Sequence, residues 1–201
     1  MFERVLVANR GAVARRIIRA CNSLQCESVA VYSDIDAALP HVAEASHAER
    51  LTGYQPVDTY LNGETIVAAA RRAKADAVHP GYGFLAENPD FARDVEAAGM
   101  KFIGPAATWL ERMGEKTQAR QWMQANGFPV HAGSEVIRDQ AMLVKAAETI
   151  GYPVMLKPAA GGGGIGMTVA DDPGSLKAAY ATTTSLAERT FGRSTVFLEK
   201  F

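Results

Sequence analysis

Over residues 1–105, short apolar runs alternate with helical periodicity. Val5-Leu6-Val7-Ala8 reads as a short buried strand. After Asn9-Arg10-Gly11, the residues Val13, Ile17, Cys21 and Leu24 fall on one helical face, with Arg15, Arg16 and Arg19 largely elsewhere. Glu27 to Tyr32 is a second strand, ending at Ser33-Asp34. Ile66, Val67 and Ala70 mark another helix. Ala77-Val78-His79 is a strand that runs into Pro80-Gly81-Tyr82-Gly83. Asn88 then caps a helix with Pro89 at its first position, Phe91 and Val95 on its apolar face and Gly99 past its end. Lys101 to Gly104 is the next strand. Strand alternating with helix predicts an α/β fold, a parallel sheet with helices on both faces.

From residue 106 to 127 the pattern is helical in two pieces, split near Gly114 and closed by Gly127 and Pro129. A new unit follows. Ala141, Val144, Ala147 and Ile150 give a helix stopped by Gly151, and Tyr152 to Lys157 is a strand. Beyond a glycine-rich stretch, Met167 to Ala170 is a second strand. Asp172 and Pro173 open a helix with Leu176, Ala179, Tyr180, Thr183, Leu186 and Ala187 on its inner face, and Thr195 to Leu198 is a last strand. The expected organisation is thus a first domain over 1–105, a helical linker over 106–130, and a small α+β unit over 131–201. No internal repeat or low-complexity tract interrupts it.

Composition narrows the function classes. The chain has 201 residues, with 48% hydrophobic and 21% charged residues, which is enough to bury a core. Lys and Arg total 21 against 22 Asp and Glu, a formal net charge of -1. A general electrostatic grip on nucleic acid or on an acidic membrane is not expected. Cys21 and Cys26 are the two cysteines; they make no disulfide framework, and no second Cys or His pair completes a zinc site. Met1-Phe2-Glu3-Arg4 lacks the apolar core of a signal peptide, and no apolar run approaches the ~18 residues of a spanning helix. The expectation is a cytoplasmic, reducing compartment.

Gly161-Gly162-Gly163-Gly164-Ile165-Gly166 is the most informative stretch. Five glycines in six residues cost backbone entropy, and without side chains their N–H groups can converge on an anion, usually phosphate. Gly161, Gly163 and Gly166 match G-x-G-x-x-G, but a strand pattern follows where that motif must open a helix. Gly161 and Gly166 also have Walker A spacing, but Met167 stands where Lys is required. What remains is a loop joining two antiparallel strands and folding over a nucleotide's phosphates; a plain hairpin needs one or two glycines. Lys157 ends the preceding strand, where its charge can point at phosphate. Lys116, on an amphipathic helix, is ambiguous by itself. Tyr82 follows a sheet strand at the carboxyl edge, where open α/β sheets bind ligands. His79, at a strand end, reads as hydrogen-bonded structure, and Cys21 as packing.

Together these pieces resemble the biotin carboxylases, the ATP-grasp components of acetyl-CoA, propionyl-CoA and pyruvate carboxylases. The resemblance rests on Asn9-Arg10-Gly11, Arg16 to Ala20, Val29 to Asp34, His79 to Leu85 with Glu87-Asn88, and Phe102 to Pro105. It continues through Met113-Gly114 with Lys116, Gly151 to Val154 with Lys157, the glycine loop, and Leu198-Glu199-Lys200. It implies a first domain with a Rossmann-like sheet that binds no dinucleotide and a smaller one that closes as a lid over ATP. It implies that ATP, bicarbonate and Mg²⁺ form carboxyphosphate, whose CO₂ is transferred to N1 of biotin on a carrier domain. By position, Lys116 and Lys157 contact the ATP phosphates, Gly161 to Gly164 and Gly166 cover them, and Glu199 with the backbone of Lys200 begins the adenine hinge. Tyr82 and Gly83 border the biotin and bicarbonate pocket.

Implied partners are the biotin carboxyl carrier protein, the carboxyltransferase component and a second copy, since the first helix often joins dimers in this family. Ala12 stands where the family has Glu, Ile165 where it has Arg, and Ser46-His47-Ala48-Glu49 where it has Ala-Asp-Glu-Ala. The resemblance also implies a further catalytic domain, with the Mg²⁺-binding glutamates and the catalytic residues beyond Phe201. The expectations are therefore no catalytic residue and no metal ligand in these 201 residues, no turnover by this chain alone, and a last strand without sheet neighbours, exposing an edge. Two other readings are a truncated, non-catalytic paralogue that binds nucleotide or a full subunit, and another ATP-grasp ligase. The His79 to Asn88 segment argues against the latter.

Overall fold

A computed structural model describes residues 1–159, 165–192 and 194–201. It divides into two compact units, Met1–Glu111 and Arg112–Phe201. In chain order the first holds β1 (Arg4–Val7), α1 (Gly11–Ser23), β2 (Glu27–Tyr32), α2 (Pro40–Glu44), β3 (His47–Arg50), α3 (Gly63–Arg72), β4 (Ala77–His79), α4 (Pro89–Ala97) and β5 (Lys101–Phe102). Helix α5 (Ala107–Gly114) crosses the boundary. The five strands form one parallel sheet in the order β3-β2-β1-β4-β5.

Strand alternation sends neighbouring side chains to opposite faces, and both faces are buried, as a parallel sheet requires. Val5 and Val7 pack with Ile17, Ile18 and Cys21 of α1. Leu6 and Ala8 join Ile66 and Ala70 of α3 and Phe91 and Val95 of α4. The helices start where short polar side chains replace missing backbone partners. The Asn62 side chain accepts from the Thr65 N–H and that of Asn88 from the Phe91 N–H, each at 3.0 Å.

Three local features depart from the hydrophobic pattern. Leu24 is not on the buried face of α1: it is the C-cap and 62% exposed. The chain turns there because Gln25 takes the left-handed conformation, with φ 57°. The Gln25 N–H donates to the Asn22 carbonyl at 3.1 Å and the Cys26 N–H to that of Cys21 at 3.0 Å, which is a Schellman terminus made without glycine. Strand β3 and the five-residue helix α2 also carry no hydrophobic signal. Two arginine–carboxylate pairs, Arg50–Asp34 and Arg72–Glu49, accompany β3.

The second unit holds α6 (Lys116–Ala125), α7 (Gln140–Ile150), β6 (Val154–Pro158), β7 (Thr168–Ala170), α8 (Pro173–Phe191) and β8 (Val196–Lys200). Its strands form an antiparallel sheet in the order β7-β6-β8. Leu143 and Ala147 of α7 and Leu176 and Ala179 of α8 pack against Val154, Leu156, Ala170, Val196 and Leu198 on one face. Asp172 closes a capping box with Ser175 at the start of α8. The last strand is not left exposed as expected. It pairs with β6 on one side, and on the other it bridges Gly133 and Ile137. The Ser134 and Ile137 N–H groups donate to the carbonyls of Leu198 and Val196, and the Lys200 N–H donates to Ala132. Among the described residues, no helix is long and apolar enough to cross a membrane.

Candidate active site

In the first unit, the strand order reverses between β1 and β4, and loops diverging at such a switch leave a crevice at the carboxyl edge. Asn9 follows β1 and Pro80 to Phe84 follow β4. The Asn9 side chain is buried and its Nδ2 donates to the carbonyls of Pro80, at 2.8 Å, and Tyr82, at 2.9 Å. One amide therefore fastens the two banks of the crevice. The Gly81 N–H donates to Nδ1 of His79 at 3.0 Å, so His79 shapes the turn, in keeping with its reading as structure. Tyr82 is 76% exposed and lines a cavity of about 540 Å³ with Ala12, Val13, Arg16, His79 and Gly81.

Gly81 and Gly83 both have positive φ, +68° and +72°, but only Gly81 is crowded. A Cβ on Gly81 would lie 2.7 Å from Val13 and 2.8 Å from Asn9 Nδ2; at Gly83 it would meet nothing. Gly83→Ala is expected to cost only the left-handed strain, about 1–2 kcal/mol. Gly81→Ala adds overpacking, for a total of about 2–5 kcal/mol. Urea unfolding of both variants measures the gap, and equal costs would refute the close packing of this turn.

A network joins Arg10 and Ser33 to Asp36 and Tyr60, two residues with no signal in the sequence. Asp36, 4% exposed, receives the Tyr60 hydroxyl at 2.7 Å, the Ser33 hydroxyl at 3.1 Å and the Arg10 guanidinium at 3.0 Å. The Ser33 N–H donates to the Tyr60 oxygen at 3.0 Å. The Arg10 guanidinium also lies over the Tyr60 ring, which stacks on Phe84 at 5.2 Å between centroids. Burial pushes the Tyr60 phenol up to about 12, with the hydrogen bond to Asp36 adding to the rise.

Burial also holds the imidazoles of His41 and His79 below the ordinary histidine value of 6.5. A depressed folded value means that the neutral rings stabilise the fold above about pH 6.5, and that this is lost as pH falls through the folded values. The urea midpoint is therefore expected to fall between about pH 7 and about pH 5, before the carboxylates protonate. His41→Gln should flatten that slope, and an unchanged slope would remove His41 as a cause.

In the second unit, alternation places Met155 and Lys157 of β6, and Phe197 and Glu199 of β8, on the face opposite α7 and α8. Lys157 pairs in register with Phe197, and Met155 with Glu199. Lys157 and Glu199 are thus diagonal neighbours, and their side chains, 24% and 20% exposed, form an ion pair. Lys200 points elsewhere: its Nζ donates to the carbonyls of Gly151, Tyr152 and Pro153 at 3.1, 2.8 and 3.3 Å. Its side chain thereby anchors the turn into β6.

Lys116 is the first residue of α6. The Glu115 carboxylate before it caps the helix, accepting from the N–H groups of Thr117 and Gln118 at 3.1 and 3.0 Å and from the Thr117 hydroxyl. Burial opposes ionisation there, but these donors hold Glu115 below the usual carboxylate value. Gly166, with φ +78°, sits against Pro158 and Leu186. Gly161, Gly162, Gly163 and Gly164 lie outside the described residues. Of the residues singled out in sequence, the structure thus brings Lys157 and Glu199 together, while Asp36 and Tyr60 had gone unrecognised and Asn9 had been given no role. Among the described residues, no cluster of three or more His, Cys, Asp or Glu could hold a metal ion.

Comparison with known proteins identifies the class. Residues 1–110 match the family model described as biotin carboxylase, N-terminal domain. Residues 115–201 match that described as carbamoyl-phosphate synthase L chain, ATP binding domain. A biotin carboxylase of Halalkalibacterium halodurans is 48% identical over all of this chain, which covers 44% of that protein. The biotin carboxylase domain dimer of Hydrogenobacter thermophilus 2-oxoglutarate carboxylase, crystallised with MgADP, ADP and bicarbonate, superposes with a TM-score of 0.95 at 44% identity. The match covers all of this chain and 44% of that one. A Campylobacter jejuni biotin carboxylase bound to a β-γ-ATP ligand gives the same TM-score at 38% identity. The shared class is that of the carboxylases. Within it, the chain belongs to the biotin carboxylase family. It spans less than half the length of the curated relatives it matches.

Proposed function

We infer that this chain supplies the crevice and the phosphate-facing sheet of a biotin carboxylase, which uses MgATP and bicarbonate to carboxylate N1 of biotin by way of carboxyphosphate. The observation that carries this reading is the Lys157–Glu199 pair on the face of β6 and β8 opposite α7 and α8, with the glycine-rich stretch after β6. Lys157 places a positive charge where phosphate oxygens arrive, and Glu199 fixes the direction of that charge. Lys116 adds a second cation, and the N–H groups of Gly161 to Gly164 and Gly166 cover the phosphates. The backbone of Lys200 and Glu199 receive the adenine. Residues 131–201 serve as the lid that excludes water, residues 106–130 as the linker, and residues 1–105 as the fixed domain.

Tyr82 and Gly83 border the pocket for biotin and bicarbonate, held in place by Asn9. Magnesium, when bound with ATP, supplies charge neutralisation; no ligand for it is assigned here. The implied partners are a biotin carboxyl carrier, a carboxyltransferase component and a second copy of the chain, in the cytoplasm. Relatives named for 2-oxoglutarate, pyruvate and methylcrotonoyl-CoA all align with this region, so the step common to them is carboxylation of biotin. The test has two arms. Calorimetry should show ATP binding by the 201-residue chain. A protein carrying this chain at the full length of its relatives should release ADP in dependence on bicarbonate and biotin. Release that ignores biotin would overturn the proposal.

A further inference from the structure

Among the described residues, three that are not glycine have positive φ: Gln25, Lys74 and Phe84. Gln25 and Lys74 follow the C-caps of α1 and α3, where that conformation ends a helix. Phe84, at 41°, ends no helix. It is the second residue of a turn closed by the Ala86 N–H on the Gly83 carbonyl at 2.9 Å, a position where glycine or asparagine is usual. A strained aromatic residue persists only where its surroundings hold it. The Phe84 ring stacks on Tyr60, with 5.2 Å between centroids and 27° between planes. Tyr60 is 1% exposed, and Ser33 and Asp36 fix its hydroxyl from the segment after β2. Leu85, beside Phe84, is buried in the core with Ile66 and Phe91. Tyr82, two residues earlier, has its carbonyl held by Asn9, but among the described residues its side chain has no hydrogen-bond or ring partner. Its direction therefore follows the backbone of residues 81–84.

Resting on the reading of the 80–84 crevice as the pocket for biotin and bicarbonate, we propose that Phe84 is a positioning residue. Its stack on Tyr60 holds the strained turn, and through it the Tyr82 side chain, in the conformation that receives biotin. Phe84 acts through Tyr82 and touches no reacting atom. Without the stack the turn relaxes part of the time and Tyr82 points elsewhere. Apparent affinity for biotin then falls in proportion to the fraction of molecules that remain competent. One aromatic stack shifts that balance by roughly 3- to 10-fold. ATP, assigned to the second unit, is not affected.

The test places three substitutions in a protein carrying this chain at the full length of its relatives. Phe84→Gly removes both the stack and the strain it holds. Phe84→Leu keeps the apolar bulk without a ring, and covers a glycine variant that does not fold. Phe84→Tyr keeps the stack. In the first two, the KM for biotin should rise roughly 3- to 10-fold with the KM for ATP unchanged, and Phe84→Tyr should match the parent. In a Tyr82→Ala background, Phe84→Leu should add nothing further, because both act through one side chain. Hydrogen exchange on the 201-residue chain reads the turn without substrate. The Ala86 amide should exchange roughly tenfold faster in Phe84→Leu, while amides of β1 and β4 keep the parent rates. Equal rises in both KM values, an unchanged KM for biotin, additivity with Tyr82→Ala or unchanged exchange at Ala86 would each overturn the proposal and leave the pocket reading standing. ADP release by the parent that ignores biotin would overturn the pocket reading, and the positioning role with it.

Discussion

Replacing Lys157 by methionine is expected to weaken ATP binding by roughly 10- to 150-fold, the equivalent of one charge-assisted contact worth about 1.5–3 kcal/mol. The side chain stands on the sheet face opposite α7 and α8, already directed by Glu199. Methionine keeps the length of the stem and removes the charge. It also leaves the Glu199 carboxylate, 20% exposed, without its cation, so some loss of stability accompanies the loss of affinity. Glu199→Gln separates the two effects. It retains the lysine charge and a hydrogen-bonding group, and should lower affinity only a few-fold. Calorimetric titration of both variants, with thermal unfolding as the control, decides the matter. If Lys157→Met binds ATP like the parent and only melts earlier, the pair is a structural strut and not a phosphate ligand.

Asp36→Ala is expected to cost about 2–4 kcal/mol of stability. Three donors converge on this buried carboxylate. Arg10 can turn to water, being 41% exposed, but the Tyr60 hydroxyl is interior and loses its acceptor. Tyr60 also supplies a spectroscopic readout. Its raised value favours the neutral phenol in the fold, so that contribution is complete below about pH 10 and disappears as pH rises towards 12. Without Asp36 the phenol should ionise closer to 10, visible as an earlier rise in phenolate absorbance. A variant with an unchanged melting temperature and an unchanged phenolate curve would show that the network is incidental.

The sequence reveals those parts of the structure in which chemistry is local. Strands β1, β2, β4 and β6 announce themselves as apolar runs, and the caps at Asn88 and Asp172 are written beside the helices they start. Strand β3 is silent because His47, Ala48, Glu49 and Arg50 form a mostly exposed outer strand held by backbone bonds to β2. The exposure of Leu24 is equally silent, since the turn after α1 is made by Gln25 where a glycine would have advertised it. Lys157 and Glu199 were each recognisable alone, but their meeting depends on the β6–β8 register. Asp36 and Tyr60 are ordinary residues in the linear text, and Asn9 and Ser33 stand in motifs without a visible role; only the parallel sheet brings the ends of β1, β2 and β4 into one place.

The arrangement of strand ends decides how this chain can meet another. A sheet with a long, bare outer strand invites a foreign strand to add on, which is the start of many aggregates. Here the first sheet closes on one side with the charged β3 and on the other with the two-residue β5. In the second, β8 has its outward backbone groups answered by the 132–137 segment, and β7 is three residues long. Among the described residues, the outer strands are thus short, charged or already paired. Addition of a foreign strand to either sheet is therefore disfavoured, and contact through side chains is favoured.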